Sequence, residues 1–281
     1  MTTRYSCADY GWPSLKHPTV MAVAQDLGYQ GLDIGIFGEV THVKVSDLQH
    51  WRQESARISR NLSTLGLQCS DVFLIPSVDL SCLTPSHPDP VQQAEAIRIF
   101  ERAALLTRDL QASGLTVCPG VMHEGDTHRE ALRRAARSLR ARVEIASSHG
   151  LELSVEPHWG SLIDTAEKVW DLLEAVEGLT LTLDVSMMFF CGMTVAEIAS
   201  FASKTRHVQF RPGTRDKVQV RLKHNEIDFD PILQALEASY QGWVSTEYVW
   251  MERWGCDQVD VTEESRQLLA FLKGEEQPAA L

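Results

Sequence analysis

The segment Leu151–His158 places a carboxylate at the end of a short apolar strand, and this arrangement constrains what the whole chain can fold into. Apolar and polar residues alternate up to Glu156, so a β-strand would carry the apolar side chains on one face and the polar ones on the other. A carboxylate at the tip is unusual for a core strand unless the tip lines a functional site. The segment therefore predicts a site next to Glu156.

Three later segments have the same pattern, with alternating apolar and polar residues and a polar side chain near the tip. They are Leu179–Asp184, Arg206–Arg211 with Gln209, and Trp243–Glu247. Parallel strands would bring the polar tips to one edge as a cup of oxygens: Glu156, Asp184, Gln209 and Glu247. An all-oxygen ligand set favours a hard cation, Mn²⁺ or Mg²⁺, over zinc. For any one acid the alternative is a helix N-cap or a solvated loop charge, and Asp184 fits an N-cap.

Strand-like and helix-like segments alternate about eight times along the 281 residues, without a break in composition. This alternation implies parallel strands, and eight units in so short a chain predict an α/β fold, a single (β/α)8 TIM barrel. Residues 1–281 are expected to form one domain, with 273–281 as a frayed tail. Ser46 is expected to cap one long helix that runs to Leu65. An open doubly wound sheet is the alternative, weakened because no GxGxxG turn follows the first strand.

The composition limits the classes of partner. The net charge is −12, which disfavours a nucleic-acid binder because such proteins need a basic face for phosphates. The six cysteines form no CxxC pair, which is typical of reduced thiols in the cytoplasm. The chain starts without a signal-peptide pattern and contains no apolar run of about 20 residues that could span a membrane. These limits leave small neutral or cation-assisted substrates open.

Several residues near the strand tips are candidates for binding substrate. His158 shares the side of Glu156, although a loop histidine bonded to the backbone is an equal alternative. Arg211 and Arg215 follow Gln209 and could bind a substrate hydroxyl or oxyanion, whereas a solvated loop arginine is the alternative for Arg215. The aromatic residues at strand ends or in loops are typical of sugar stacking, although each alone more often packs in a core. They are Trp12, Phe37, Trp159 and Trp250.

Together these residues resemble the xylose isomerase-like TIM-barrel superfamily, which holds sugar phosphate isomerases and epimerases as well as inosose and 3-dehydroshikimate dehydratases. The resemblance covers about residues 5–273 and rests on six stretches: Leu27–Asp33, Val155–His158, Leu181–Asp184, His207–Gln209, Ile227–Phe229 and Gly242–Tyr248. It implies that Glu156, Asp184, Gln209 and Glu247 bind one divalent metal, with Mn²⁺ expected first and Mg²⁺ or Co²⁺ as alternatives. It also implies a homo-oligomer, by analogy with relatives.

The resemblance implies an isomerase or epimerase of a keto-sugar or related polyol. In this interpretation a metal-chelated enediolate forms, with Glu156 and Glu247 as acid and base. Two departures keep a dehydratase or 3-keto-glycoside lyase open, with His158 as the acid. Gln209 stands where the epimerases usually have His, and Met187 stands where they have a substrate-binding His. A non-catalytic sugar-binding barrel is the third hypothesis.

Overall fold

Short apolar strands alternate with helices along the computed structural model, which describes residues 3–275. The strands are β1 (Arg4–Ala8), β2 (Gly31–Phe37), β3 (Gln68–Ile75), β4 (Gly114–Val117), β5 (Glu152–Val155), β6 (Thr180–Asp184), β7 (Thr205–Phe210) and β8 (Trp243–Thr246). The α-helices are α1 (His17–Asp26), α2 (Trp51–Thr64), α3 (Pro90–Asp109), α4 (His128–Ser148), α5 (Ala166–Ala175), α6 (Val185–Phe190), α7 (Val195–Ser200), α8 (Asp230–Ser239) and α9 (Val261–Leu272).

The strands pair in parallel in chain order, and β8 closes on β1. The predicted (β/α)8 TIM barrel is therefore confirmed. Of the predicted frayed tail, residues 276–281 lie outside the described part of the chain. No helix within residues 3–275 is both long and apolar enough to cross a membrane.

Local sequence signals set most helix starts. In α4, the Thr127 hydroxyl accepts from the Glu130 amide while the Glu130 carboxylate accepts from the Thr127 amide, which satisfies two otherwise unpaired donors. The predicted cap at Ser46 is wrong. Its hydroxyl donates to Glu39 at 2.6 Å, residues 46–50 form a 3-10 turn, and α2 begins only at Trp51.

Below the mouth, the barrel interior contains buried polar pairs as well as aliphatic side chains. Arg206 Nη2 lies 2.7 Å from Asp71 Oδ1, and His207 Nε2 lies 2.8 Å from Asp33 Oδ2. Asp33 thus belongs to this layer. Because the side chains on a strand alternate, His207 points into the barrel two residues before Gln209 and supports the layer above.

Arg206→Met is expected to cost about 3–5 kcal/mol of unfolding free energy, because it leaves the Asp71 carboxylate buried without its cation. The matched control is Arg98→Met. Arg98 pairs with Glu95 at 3.2 Å on the exposed surface of α3, so its loss should cost about 1 kcal/mol or less. Urea unfolding of the two variants measures the difference, and equal costs would contradict the assigned role of the buried pair.

Candidate active site at the barrel mouth

The four polar strand tips lie together at the carboxyl-terminal mouth of the barrel. Asp184 and Gln209 are direct neighbours on β6 and β7, and Gln209 pairs with Ser245, two residues before Glu247. Glu156 directly follows β5. All four are buried, with exposed fractions of 3% or less. The strand register therefore brings the predicted oxygen donors together, and their binding of a metal stays a prediction.

The guanidinium of Arg211 lies among these acids. Its Nη2 donates to Asp184 Oδ2, and its Nη1 lies 3.1 Å from Glu247 Oε2. Its Nε donates to Ser186 Oγ at 2.8 Å, and Nη1 also donates to the Glu247 carbonyl at 3.2 Å. Arg211, predicted to bind substrate, is thus a buried counter-ion to two of the four predicted metal ligands.

Tyr10 completes the cluster and was not among the predicted site residues. Its hydroxyl donates to Glu247 Oε1 at 2.6 Å and accepts from Gln209 Nε2 at 3.3 Å. Gly35 on β2 makes room for the ring, since a Cβ there would lie 2.4 Å from Tyr10 Cδ1. The signal in the sequence was only its place two residues after β1. We call these six residues the mouth cluster: Tyr10, Glu156, Asp184, Gln209, Arg211 and Glu247.

Three buried oxygens of the mouth cluster have no hydrogen-bond donor among the described residues: Glu156 Oε2, Gln209 Oε1 and Glu247 Oε2. The last is within ion-pair distance of Arg211 but outside hydrogen-bonding geometry. Gln209 gives its amide nitrogen to Tyr10, which leaves its oxygen for another partner. Buried oxygens are normally paired, so these three indicate a place for a cation or a donor from a ligand.

The buried carboxyls hold their protons more tightly than usual. Burial raises the pKa of Glu156 well above its ordinary value, and the nearby charges of Glu247 and Asp184 raise it further. Burial also raises the pKa of Glu247 to about 8, an effect that Arg211 opposes. Carboxyls with raised pKa values at a barrel mouth are the arrangement that proton transfer near neutral pH requires.

In protein stripped of divalent metal, Glu156→Gln is expected to stabilise the fold increasingly as the pH rises above about 4.5. Native Glu156 keeps its proton at pH values where the unfolded chain has released it. Wild-type stability therefore falls with rising pH across that window, whereas glutamine does not titrate. The difference in unfolding free energy between Glu156→Gln and wild type should grow by on the order of 1 kcal/mol per pH unit. Urea unfolding at about pH 4, 6 and 8 measures it, and a constant gap would refute the assignment.

His158 and Arg215 are held by backbone oxygens outside the mouth cluster. His158 Nδ1 lies 3.1 Å from the carbonyl oxygen of Trp159. This is the backbone contact that the sequence analysis gives as the alternative to substrate binding. Arg215 donates to the carbonyls of Phe189 and Met193 at 2.6 and 2.9 Å, and its guanidinium stacks on the Phe189 ring at 3.7 Å. Arg215 thus ties the loop after β7 to the end of α6.

Trp12, predicted to stack on substrate, is a packing residue. It is only 8% exposed, lies in the main hydrophobic core and donates through Nε1 to Thr262 on α9 at 2.9 Å. The indole thus contacts α9, and a role for Trp12 in binding substrate stays a prediction.

The model of the family described as xylose isomerase-like TIM barrel matches residues 21–274. The chain belongs to this family. No curated protein matches the sequence.

Solved structures share the fold of this family member at low sequence identity. A D-psicose 3-epimerase crystallised in the presence of D-fructose superimposes with a TM-score of 0.77 and 14% identity, over 97% of this chain and 99% of that one. A probable 3-DHS dehydratase from Bacillus anthracis gives 0.73 and 17%, over 95% and 99%. The IOLI protein with a bound zinc atom gives 0.76 and 14%, over 96% and 98%. At these identities the likeness establishes the fold.

In this member of the family, the mouth cluster has the donors for a divalent cation but not the usual arrangement. Among residues 3–275, no three or more His, Cys, Asp or Glu side chains are placed to hold a metal ion. Arg211 donates a hydrogen bond to Asp184 Oδ2, so this carboxylate already has a cationic partner. Three carboxylates and one guanidinium nevertheless leave two negative charges unbalanced when all are ionised. With three buried oxygens that accept no hydrogen bond among the described residues, the donor set and its charge fit one divalent cation.

Aromatic side chains border the mouth cluster. Phe37 contacts both Tyr10 and Phe73, with ring centroids 4.7 and 5.1 Å apart. Further out, Trp159 is 57% exposed and its ring meets that of Trp254 at 6.0 Å. Aromatic rings from β2 and β3 therefore pack directly beside the Tyr10 ring of the mouth cluster.

Proposed function

We propose that this protein is a divalent-metal-dependent isomerase or epimerase of a keto-sugar or a related polyol. The observation that carries the proposal is the pair Glu156 and Glu247, two buried carboxyls that directly follow β5 and β8 at one barrel mouth. They follow β5 and β8, which are not adjacent in the barrel, so they approach a ligand in the mouth from different sides. This arrangement suits proton removal on one face of a substrate and proton return on the other.

The chain's own residues would divide the work in the following way. Glu156 and Glu247 accept and return the proton next to the substrate carbonyl. Tyr10 holds Glu247 in place through its 2.6 Å hydrogen bond, and the Phe37 ring packs against Tyr10 at 4.7 Å. Glu156, Gln209 and Glu247 would hold the cation through the buried oxygens that accept no hydrogen bond among the described residues. When bound, such a cation acidifies the C–H bond by stabilising negative charge on the substrate oxygens.

We also propose a class of sugar substrate and a metal. The neighbouring epimerase structure was obtained with D-fructose and another with D-tagatose, which supports a free ketose or a close relative as the substrate class. An all-oxygen donor set supports Mn²⁺, with Mg²⁺ or Co²⁺ as alternatives, although zinc is bound in one neighbour.

Elimination is the second candidate, and one position favours it. Met187, where the resemblance to epimerases requires a substrate-binding histidine, is 3% exposed and packs with Val218 and Cys256. The site therefore lacks a polar contact at this position that an epimerase would use. A dehydratase or lyase would form the same enolate and then expel a β-leaving group, and the dehydratase-like neighbour supports this alternative.

Incubation in D₂O with Mn²⁺ and a panel of ketoses, inososes and 3-keto-sugars tests both candidates. Mass spectrometry reports deuterium next to the carbonyl, and absorbance in the near ultraviolet reports an enone. Deuterium incorporation with a stereoisomeric product supports the isomerase or epimerase, and enone formation supports the lyase. A panel in which no member exchanges a proton would leave the barrel as a non-catalytic sugar-binding protein and would refute the proposal.

A further inference from the structure

Arg211 is a buried cation with a fixed set of partners. It is 3% exposed and donates to the side chains of Asp184 and Ser186 and to the carbonyl of Glu247. The Glu247 carboxylate lies 3.1 Å away. A guanidinium stays charged in proteins, and here it faces the carboxylates of Asp184 and Glu247. A planar group with these contacts is held on several sides.

We propose that Arg211 is a built-in competitor of the divalent cation. It keeps Asp184 out of the metal's coordination, and by its charge it weakens the affinity of the mouth for the ion. The inference rests on the metal site proposed above but not on the reaction assigned to it. The metal would then be held by Glu156, Gln209 and Glu247, a smaller set than the four residues that the sequence predicts.

The surroundings of Asp184 support this role. Its Oδ1 accepts from the amide of Met187 at 3.1 Å and from the Ser186 hydroxyl at 3.4 Å, and this carboxylate caps α6. Its Oδ2 is taken by Arg211. Both oxygens of Asp184 therefore have donors. Glu156 and Gln209 each keep one buried oxygen without a donor among the described residues, and Glu247 Oε2 has only its ion-pair contact with Arg211 at 3.1 Å. Asp184 differs from the other predicted ligands because Arg211 and the N-terminus of α6 supply donors to its two oxygens.

The position of Arg211 explains how one residue changes the site. It follows Gln209 by two residues, so it extends from the end of β7 on the same side as the predicted ligand. Its charge lies close to any cation held by Glu247, and like charges at such distances in a buried site repel strongly. Removing that charge should raise metal affinity even though it also removes the partner of two acids.

The test is Mn²⁺ binding to the full chain after chelation, followed by electron paramagnetic resonance of free Mn²⁺. Arg211→Met is expected to bind Mn²⁺ at least about tenfold more tightly than wild type, because the repelling charge is gone and Asp184 is released. Arg215→Met is the matched control. It removes the same kind of charge from a residue bonded to the carbonyls of Phe189 and Met193, so affinity should not change.

A second pair of variants tests whether Asp184 is excluded. Asp184→Asn should lower Mn²⁺ affinity far less in wild type than Glu247→Gln does, but should cancel most of the gain in the Arg211→Met background. If Arg211→Met does not fold, as judged by circular dichroism, Arg211→Lys replaces it. One ammonium cannot bridge both carboxylates, so a smaller gain is expected.

Unchanged or weaker Mn²⁺ affinity in the Arg211 variant that folds would overturn the inference. The same holds if Asp184→Asn in wild type costs as much as Glu247→Gln, or if no variant binds Mn²⁺. These readouts concern binding alone. Failure of the D₂O experiment with normal Mn²⁺ binding would refute the proposed reaction and leave this inference standing.

Discussion

Glu247→Gln is expected to lower the rate of substrate C–H exchange at least about a thousandfold while leaving the barrel folded. A glutamine keeps the size of the side chain but cannot accept a proton, and loss of a positioned acid–base group costs about 10²–10⁴ in rate. It also replaces an anionic ligand of the proposed cation. Glu156→Gln should cause a loss of the same order, because the proposal gives the two carboxyls complementary roles. Deuterium incorporation into an accepted ketose, followed by mass spectrometry, measures both variants.

The matched control for these substitutions is Glu252→Gln. Glu252 is an exposed carboxylate in the 3-10 turn that follows β8, so the same change of charge is made in the same loop region without touching the mouth cluster. Its exchange rate should equal that of wild type. Retention of more than about a tenth of the wild-type rate by either Glu156→Gln or Glu247→Gln would remove that residue from the chemistry.

Removal of divalent metal is the second change with a large expected effect. Chelation should reduce C–H exchange at least about a thousandfold, since a cation that stabilises developing negative charge contributes several kcal/mol to the barrier. Addition of Mn²⁺ should restore the rate. The fold should persist without metal, because its core is assembled from the barrel and helices and Arg211 neutralises part of the acidic cluster.

The control for chelation is elemental analysis of the treated protein together with its circular dichroism spectrum. Metal-free, folded protein that exchanges protons at the full rate would contradict the proposed need for a cation. A rate restored by Mn²⁺ and not by Na⁺ at equal ionic strength would support it.

The fold and the strand-end part of the site were readable from the sequence because both follow from local rules. Alternation of apolar and polar residues gave the strands, and the parallel arrangement then placed Glu156 and Glu247 at one mouth. The same rule placed Asp184 and Gln209 beside them. Capping residues such as Thr127 set the helix starts, although Ser46 failed because its hydroxyl found the nearby carboxylate of Glu39.

The parts of the site that the sequence did not reveal depend on contacts between distant segments. Tyr10 reaches Glu247 across 237 positions of sequence and needs the space above Gly35. Arg211 was recognised as a candidate, but its pairing with Asp184 instead of a ligand depends on three-dimensional placement. The contact of Trp12 with α9 could not be predicted, because the direction of a side chain after a strand end depends on the path of the following turn, which no local pattern specifies.

Anomalous diffraction from crystals soaked in Mn²⁺ tests the central claim most directly, namely that oxygens from separate strand ends hold one cation at the barrel mouth. We expect a single anomalous peak in contact with oxygens of Glu156, Gln209 and Glu247, with Arg211 still paired to Asp184. No peak at the mouth at millimolar Mn²⁺, or a peak bound only by residues elsewhere, would contradict it.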